Sequence, residues 1–330
     1  MRKLSLTLFF LGLALTASAQ MMPDSTVQVI AYWEVGDKYS FQVEESKYTV
    51  QNGTDTSSVE RSAHILTLEV VDATDHSYRL RAKTDDYMNG DYQRDAMTEE
   101  IVQRFGNLPF EFETDEYGVF KRILISDRDI ENIYPVLDAV TEKAAELRGL
   151  DDDALLTMKQ LMRAMFTKEK IESMFQEEVS PLLSMHGIRL TPGEMTEYES
   201  EMPSLIENGD VIPTKGVFWA DEELTDAYSV VLYNELVADE KELQKYVSSY
   251  LEYLMDAVGD KTGGDTREAL TTVMDDAEAS LSESLAEEIH LDTGWPLHFF
   301  YSRVFRMKVG AVDQEVVQTK AIDIILDEYD

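Results

Sequence analysis

The sequence predicts an α+β fold, with a broad antiparallel sheet of long strands and inserted helices covering one face. Three observations carry this expectation. Apolar and polar residues alternate with period two over several stretches, two blocks switch to the helical period, and the strand-like stretches are joined by turns too short for βαβ crossovers.

Taken in order, Tyr39, Phe41 and Val43 alternate with Ser40, Gln42 and Glu44, the pattern of a half-buried strand. Asn52-Gly53 tolerates the positive φ of a hairpin turn. With Thr54 it also forms a glycosylation sequon, which matters only in a eukaryotic secretory route. Strands are expected at 64–71 and 78–84, the second setting Tyr78, Leu80 and Ala82 against a basic row of Arg79, Arg81 and Lys83. Phe110 and Phe112 alternate with Glu111 and Glu113, and Asp115 to Gly118 turn the chain into a strand at 119–125.

Between 127 and 186 the period becomes helical. Asp151 to Asp153 place negative charge where a helix N-terminus favours it. Leu155, Met158, Met162 and Met165 then share one face. A second helix from about Lys168 carries Ile171, Met174, Phe175 and Val179, with Gly187 placed as its left-handed cap. Pro192-Gly193, Pro203, Asn208-Gly209 and Pro213 predict an irregular connector over 191–216.

A strand at 228–236 and a helix at 240–258 follow, the helix with Leu243, Tyr246, Val247, Tyr250 and Leu254 on one side. Another helix is expected from Asp265, bearing Leu270, Val273, Met274 and Leu281. Two long strands at 297–309 and 316–326 meet at Gly310. The expected organisation is a leader (1–19), a β-rich part (20–125), a helical insertion and connector (126–206), and an α+β part (207–330) that completes the sheet of one compact unit.

Composition excludes several functions. The chain carries 65 acidic and 29 basic side chains, a net charge of −36, and no cysteine. It would repel nucleic-acid phosphates and an anionic membrane surface. Disulfides, thiol catalysis and cysteine zinc sites need an absent atom. A content of 44% hydrophobic and 10% aromatic residues supports a packed core rather than disorder. The acidity is uneven: residues 194–290 hold 25 acids and 5 bases, which marks a candidate surface for a basic partner.

Arg2-Lys3, the apolar run from Leu4 to Leu15, and Ala17-Ser18-Ala19 before Gln20 are the three parts of a secretory signal peptide. Polar Gln20, Asp24 and Ser25 follow too early for a membrane span, and no later stretch is long and apolar enough for one. Gln20 stands where a lipoprotein signal requires cysteine. The mature chain is therefore expected to be exported to the periplasm or beyond, soluble, without a lipid anchor, and monomeric.

Leu291-Asp292-Thr293-Gly294 resembles the catalytic turn of aspartic proteases, in which two carboxylates share one proton. That chemistry needs a second such turn, and Trp295 fills a position that the family keeps small. Asp292 is thus read mainly as part of a structural turn. Five scattered histidines without a His-Glu-x-x-His pair give zinc no ligand set. Asp85 to Gly90 has the start of a calcium loop but puts Tyr87 at a ligand position and Ala96 where the bidentate Glu belongs. No cofactor or metal is expected.

Methionine is concentrated instead: Met158, Met162, Met165, Met174, Met185, Met195 and Met202 fall within 45 residues. Such side chains serve either an adaptable apolar binding surface or ordinary core packing. Arg303 sits among Phe299, Tyr301, Phe305 and Met307 on an apolar strand face. There it needs a carboxylate partner or an anionic head group at a cavity mouth.

Phe112 to Phe120, Asp292 to Pro296 and the Ala17-Ser18-Ala19-Gln20 junction together resemble exported proteins of Gram-negative Bacteroidota. The resemblance implies a periplasmic or extracellular location and carries over no functional residue. The expected architecture is also similar to the half-barrel carriers of lipoproteins and lipids.

The leading expectation is a non-enzymatic protein binding a lipid, an acyl chain or another apolar or amphipathic ligand between sheet and helices. Met158, Met162, Met165, Phe166 and Met174 would line the helix side, and Phe299, Arg303 and Phe305 the sheet side. An acidic protein docking a basic partner and, more remotely, a hydrolase using Asp292 are the alternatives.

Overall fold

The computed structural model describes residues 25–89, 109–203, 211–258, 278–310 and 312–326. The expected leader lies outside them. The strands are β1 (Val27–Gln28), β2 (Lys38–Gln51), β3 (Asp55–Thr74), β4 (Ser77–Asn89), β5 (Phe110–Asp115), β6 (Phe120–Leu124), β7 (Arg189–Leu190), β8 (Thr196–Pro203), β9 (Val211–Ala220), β10 (Ser229–Ala238), β11 (Glu278–His290), β12 (Pro296–Val309) and β13 (Val312–Ile325). The helices are α1 (Asp127–Arg148), α2 (Asp152–Met165), α3 (Lys168–Val179) and α4 (Glu240–Val258).

Eleven strands form one antiparallel sheet in the order β6-β5-β4-β3-β2-β13-β12-β11-β10-β9-β8. Two meanders run outward from the centre, where β2 pairs with β13. The short strands β1 and β7 pair separately. The fold is α+β, as the alternation and turn chemistry predict. Asn52 and Gly53 take φ of 52° and 71° in the hairpin that joins β2 to β3, the mirror-image turn that matches strand twist.

Three expectations are corrected. Residues 196–203 and 211–220 are β8 and β9 rather than an irregular connector. Pro213 is accommodated near the start of β9, opposite Glu201. Leu281 is a buried residue of β11 rather than of a helix; Asp265, Leu270, Val273 and Met274 lie outside the described residues. Finally, α3 ends at Ser180, and Gly187 follows a 3-10 turn at Pro181–Leu183 instead of capping the helix.

α1 begins with a reciprocal capping box between Ser126 and Asp129. The acidic run predicted to open a helix does so, with the Asp151 carboxylate capping the Ala154 N–H at 2.9 Å. Apolar burial is concentrated on one face of the sheet. Leu182 and Leu183 pack there with Phe41, Leu66, Phe112 and Phe299. Leu243 and Val247 of α4 pack on Met202, Ile212 and Leu281. The two helical covers thus sit over different parts of the same face. α1 packs chiefly against α2, and its Ile130, Ile133 and Leu137 share a buried cluster with Ile171 of α3.

The basic row on β4 faces acids: Arg79 meets Asp72, Arg81 meets Glu111, and Lys83 meets Asp85. Residues 85–89 are extended strand, so the calcium-like loop does not form there; Gly90 and Ala96 lie outside the described residues.

Candidate functional site

Directly paired residues of antiparallel strands share a face, so the register sorts the covered face into rows. His64, Val43, Ile322, Phe299, Glu287 and Leu232 form one row. Two rows further along come Glu60, Lys47, Gln318, Arg303, Glu283 and Leu236. Between them lie Ser62, Glu45, Lys320, Tyr301, Leu285 and Asn234. A polar belt therefore crosses the sheet between the two helical covers.

A groove of about 820 Å³ opens over this belt, bounded by Ser180, Pro181 and Ser184 above and by Phe299, Tyr301 and Arg303 below. A second chamber of about 340 Å³, lined by Met185, Ile188, Phe218 and Leu285, continues toward β8. Ser184 and Leu285 border both spaces, so they meet there. In the second chamber the Tyr198 hydroxyl donates to Asn234 Oδ1 at 2.5 Å. The ring of Tyr198 lies against Gly216, where an added Cβ would come within 2.3 Å of it.

Charges in the larger groove are paired. Lys320 Nζ lies 3.0 Å from Glu45 and 3.5 Å from Glu178 of α3. His64 Nε2 hydrogen-bonds the other Glu178 oxygen. Burial raises the Glu178 pKa, but the His64 hydrogen bond and the Lys320 charge outweigh it and hold the carboxyl at about 2. Burial pushes the Tyr301 phenol well up, helped by Glu283 and opposed by Arg303. Arg303 Nη2 donates to the Pro203 carbonyl at 2.8 Å, and its Nε lies 3.4 Å from Glu283. A carboxylate thus partners the arginine predicted on an apolar face.

Glu287 is fully buried beside this junction. Its Oε2 accepts from Ser184 Oγ at 3.1 Å, whereas Oε1 has no hydrogen-bond partner among the described residues. Burial raises its pKa well above the ordinary value, and the Ser184 and Met185 hydrogen bonds only partly oppose this. The cost follows: an acid held neutral stabilises below its unfolded pKa and loses that stability as pH rises through the folded one. Glu287→Gln is therefore expected to match the parent at pH 4 and to melt at higher temperature at pH 8. A lower melting temperature at pH 8 would mean that the carboxylate is ionised and satisfied.

The structure disperses the other sequence-predicted lining residues. Phe299 stays at the groove floor while belonging, at 2% exposure, to the central core, but Phe305 packs with the cluster under α4. Met162 and Phe166 pack against the α1–α3 cluster. Met165 and Met174 face outward at 58% and 45% exposure, Met158 is half-buried, and no residue of α2 is buried. The methionine row does not line the groove.

Asp292 is exposed at the tip of a closed turn. The turn is tied by Gly294 N–H to the His290 carbonyl at 2.8 Å and by His290 N–H to the Trp295 carbonyl at 3.1 Å. Trp295 stacks on Trp33 with centroids 4.7 Å apart, and His186 Nε2 donates to the Gly294 carbonyl at 2.8 Å. The motif anchors the segment at 30–33 to β12.

The sequence matches no protein-family model and no curated protein. Among solved structures it aligns with one described as lipid–protein interactions in lipovitellin, at a TM-score of 0.39 and 8% identity, over 89% of this chain and 25% of that one. The chain thus spans a quarter of that chain's length. No helix among the described residues is long and apolar enough to cross a membrane.

Proposed function

We propose that the chain is an exported, non-enzymatic binding protein that holds an amphipathic ligand in the trough between its sheet and the α3 cover. One observation supports this most directly: a charged groove and a smaller apolar chamber meet at Ser184 and Leu285. Ligand pockets combine apolar lining with a few placed polar groups, and this junction has both. The apolar chamber accepts a chain of about ten water-sized volumes. Tyr301, Arg303 and Lys320 offer the head group hydrogen bonds from partly buried positions. Export rests on the three-part leader of residues 1–19.

The test is titration with a fluorescent fatty acid and with chain-length competitors. Saturable binding is expected, tightening with chain length until the smaller chamber is filled. Leu285→Trp should fill the junction and weaken binding by about tenfold, the equivalent of 1.4 kcal/mol. Binding that is non-saturable, or identical in a folded Leu285→Trp variant, would sink the proposal.

A further inference from the structure

The opposite face of the sheet carries a second arrangement. Since Phe299 and Tyr301 face the groove, Phe300 faces away. Its register neighbours are Ala286 on β11, Tyr233 on β10 and Trp219 on β9. Trp219 and Tyr233 stack with centroids 5.1 Å apart and planes 15° from parallel. On the far side of Tyr233 the row drops to Ala286 and rises again at Phe300, which is 39% exposed. Tyr233 and Phe300 stand two strand spacings apart, about 10 Å, and bound a slot whose floor is a methyl group.

The flanking rows supply charge of one sign. Asp221, Glu288 and Asp323 lie along one side, and Glu197 and Glu235 along the other. From β8 to β13 these three rows hold no lysine or arginine among the described residues. Asp323 pairs with His298, Asp221 accepts from the Tyr233 hydroxyl at 3.2 Å, and Glu288 accepts from Ser229. No described helix shares an apolar cluster with this face.

We propose that this slot docks an extended, arginine-bearing segment of a partner protein, with the guanidinium between Tyr233 and Phe300 and its charge answered by Glu288 and the flanking acids. Aromatic walls attract a cation through the ring quadrupole, and a guanidinium also stacks flat on them. The carboxylates at both borders complement a positive segment and repel an acidic one. A neutral apolar partner would strand those carboxylates without compensation. The slot is independent of the groove, which opens on the other face.

The experiment uses the full mature chain and a synthetic hexapeptide amide containing two arginines, against the same peptide with citrulline. Trp33 and Trp295 are 4% and 1% exposed, so peptide-induced changes in tryptophan emission report on Trp219. Calorimetry at low and high salt runs beside it. The expected result is saturable binding, at least about tenfold weaker with citrulline and with 300 mM salt, given desolvated cation–π contact and screened charge. Ala286→Leu should fill the slot and raise Kd by about fivefold or more, while leaving the melting temperature and fatty-acid binding unchanged. If that variant fails to fold, Glu288→Gln and Phe300→Ala are expected to show the same loss. Equal binding of the citrulline peptide overturns the proposal, as does an unchanged Kd in all folded variants. So does preference of the slot for a neutral oligosaccharide, or self-association of the chain that Ala286→Leu abolishes.

Discussion

Gly294→Ala should cost about 4 kcal/mol or more, placing it among the exceptional single substitutions. Two independent penalties combine. Gly294 has φ of 72°, where an L side chain is strained. An added Cβ would lie 2.2 Å from the Ile30 carbonyl oxygen and 2.9 Å from Ala31 Cα, both backbone atoms that cannot swing aside. Relief would part the turn from the 30–33 segment, unstacking Trp295 from Trp33 and breaking the His186 hydrogen bond. Urea unfolding measures the loss, with Asp292→Asn as the control because its carboxylate is exposed. A loss below about 1 kcal/mol would show that the turn is not held as described.

Acidification is the second large effect. His186 is fully buried, and burial drives its pKa down to about 4, opposed by the hydrogen bond to Gly294 and the charge of Asp115. An unfolded histidine takes its proton near pH 6.5, so the neutral buried ring stabilises fully above that value. As pH falls from 6.5 through 4 that stability drains away, by about 3 kcal/mol. Glu178 follows in the next window. Its depressed pKa stabilises above 4.5, and the contribution is lost as pH falls through about 2. Glu287 runs in the opposite sense above its unfolded pKa, so the profile is best measured in the Glu287→Gln background. Stepwise urea unfolding should show the upper window flattened by His186→Gln and the lower one by Glu178→Gln. A profile level from pH 6.5 to 4 would contradict a buried neutral His186.

Much of the sheet was legible because its signals are local. Alternation marks β2 and β12, Asn52-Gly53 marks a hairpin, and the 240–258 stripe marks α4. The strand at 278–290, which holds the Leu281 expected on a helix, does not declare itself, because Leu281, Leu285 and Ile289 are spaced by four. That spacing satisfies the helical period and twice the strand period at once. β8 and β9 were hidden by Pro203 and Pro213 at their ends. The groove was illegible for a different reason. Ser184, Phe218, Leu285, Tyr301 and Lys320 come from separate elements, and only the register brings them together. One trace did exist: Gln318 and Lys320 interrupt an apolar strand face between Val316 and Ile322. The methionine row was a true helical stripe whose destination was helix packing and solvent.

The seam between β2 and β13 has a consequence for how such a chain is made. Each meander closes through neighbours in sequence, but the central seam joins distant partners such as Ser46 and Thr319, separated by 273 residues. Loop-closure entropy delays such pairing relative to the hairpins. During synthesis, β2 must therefore present a bare fourteen-residue edge until β13 emerges. That edge carries Glu44, Glu45 and Lys47, charges of the kind that discourage adventitious strand addition. β13 thus acts as a zipper pull, joining the two meanders into one sheet only once it has itself emerged.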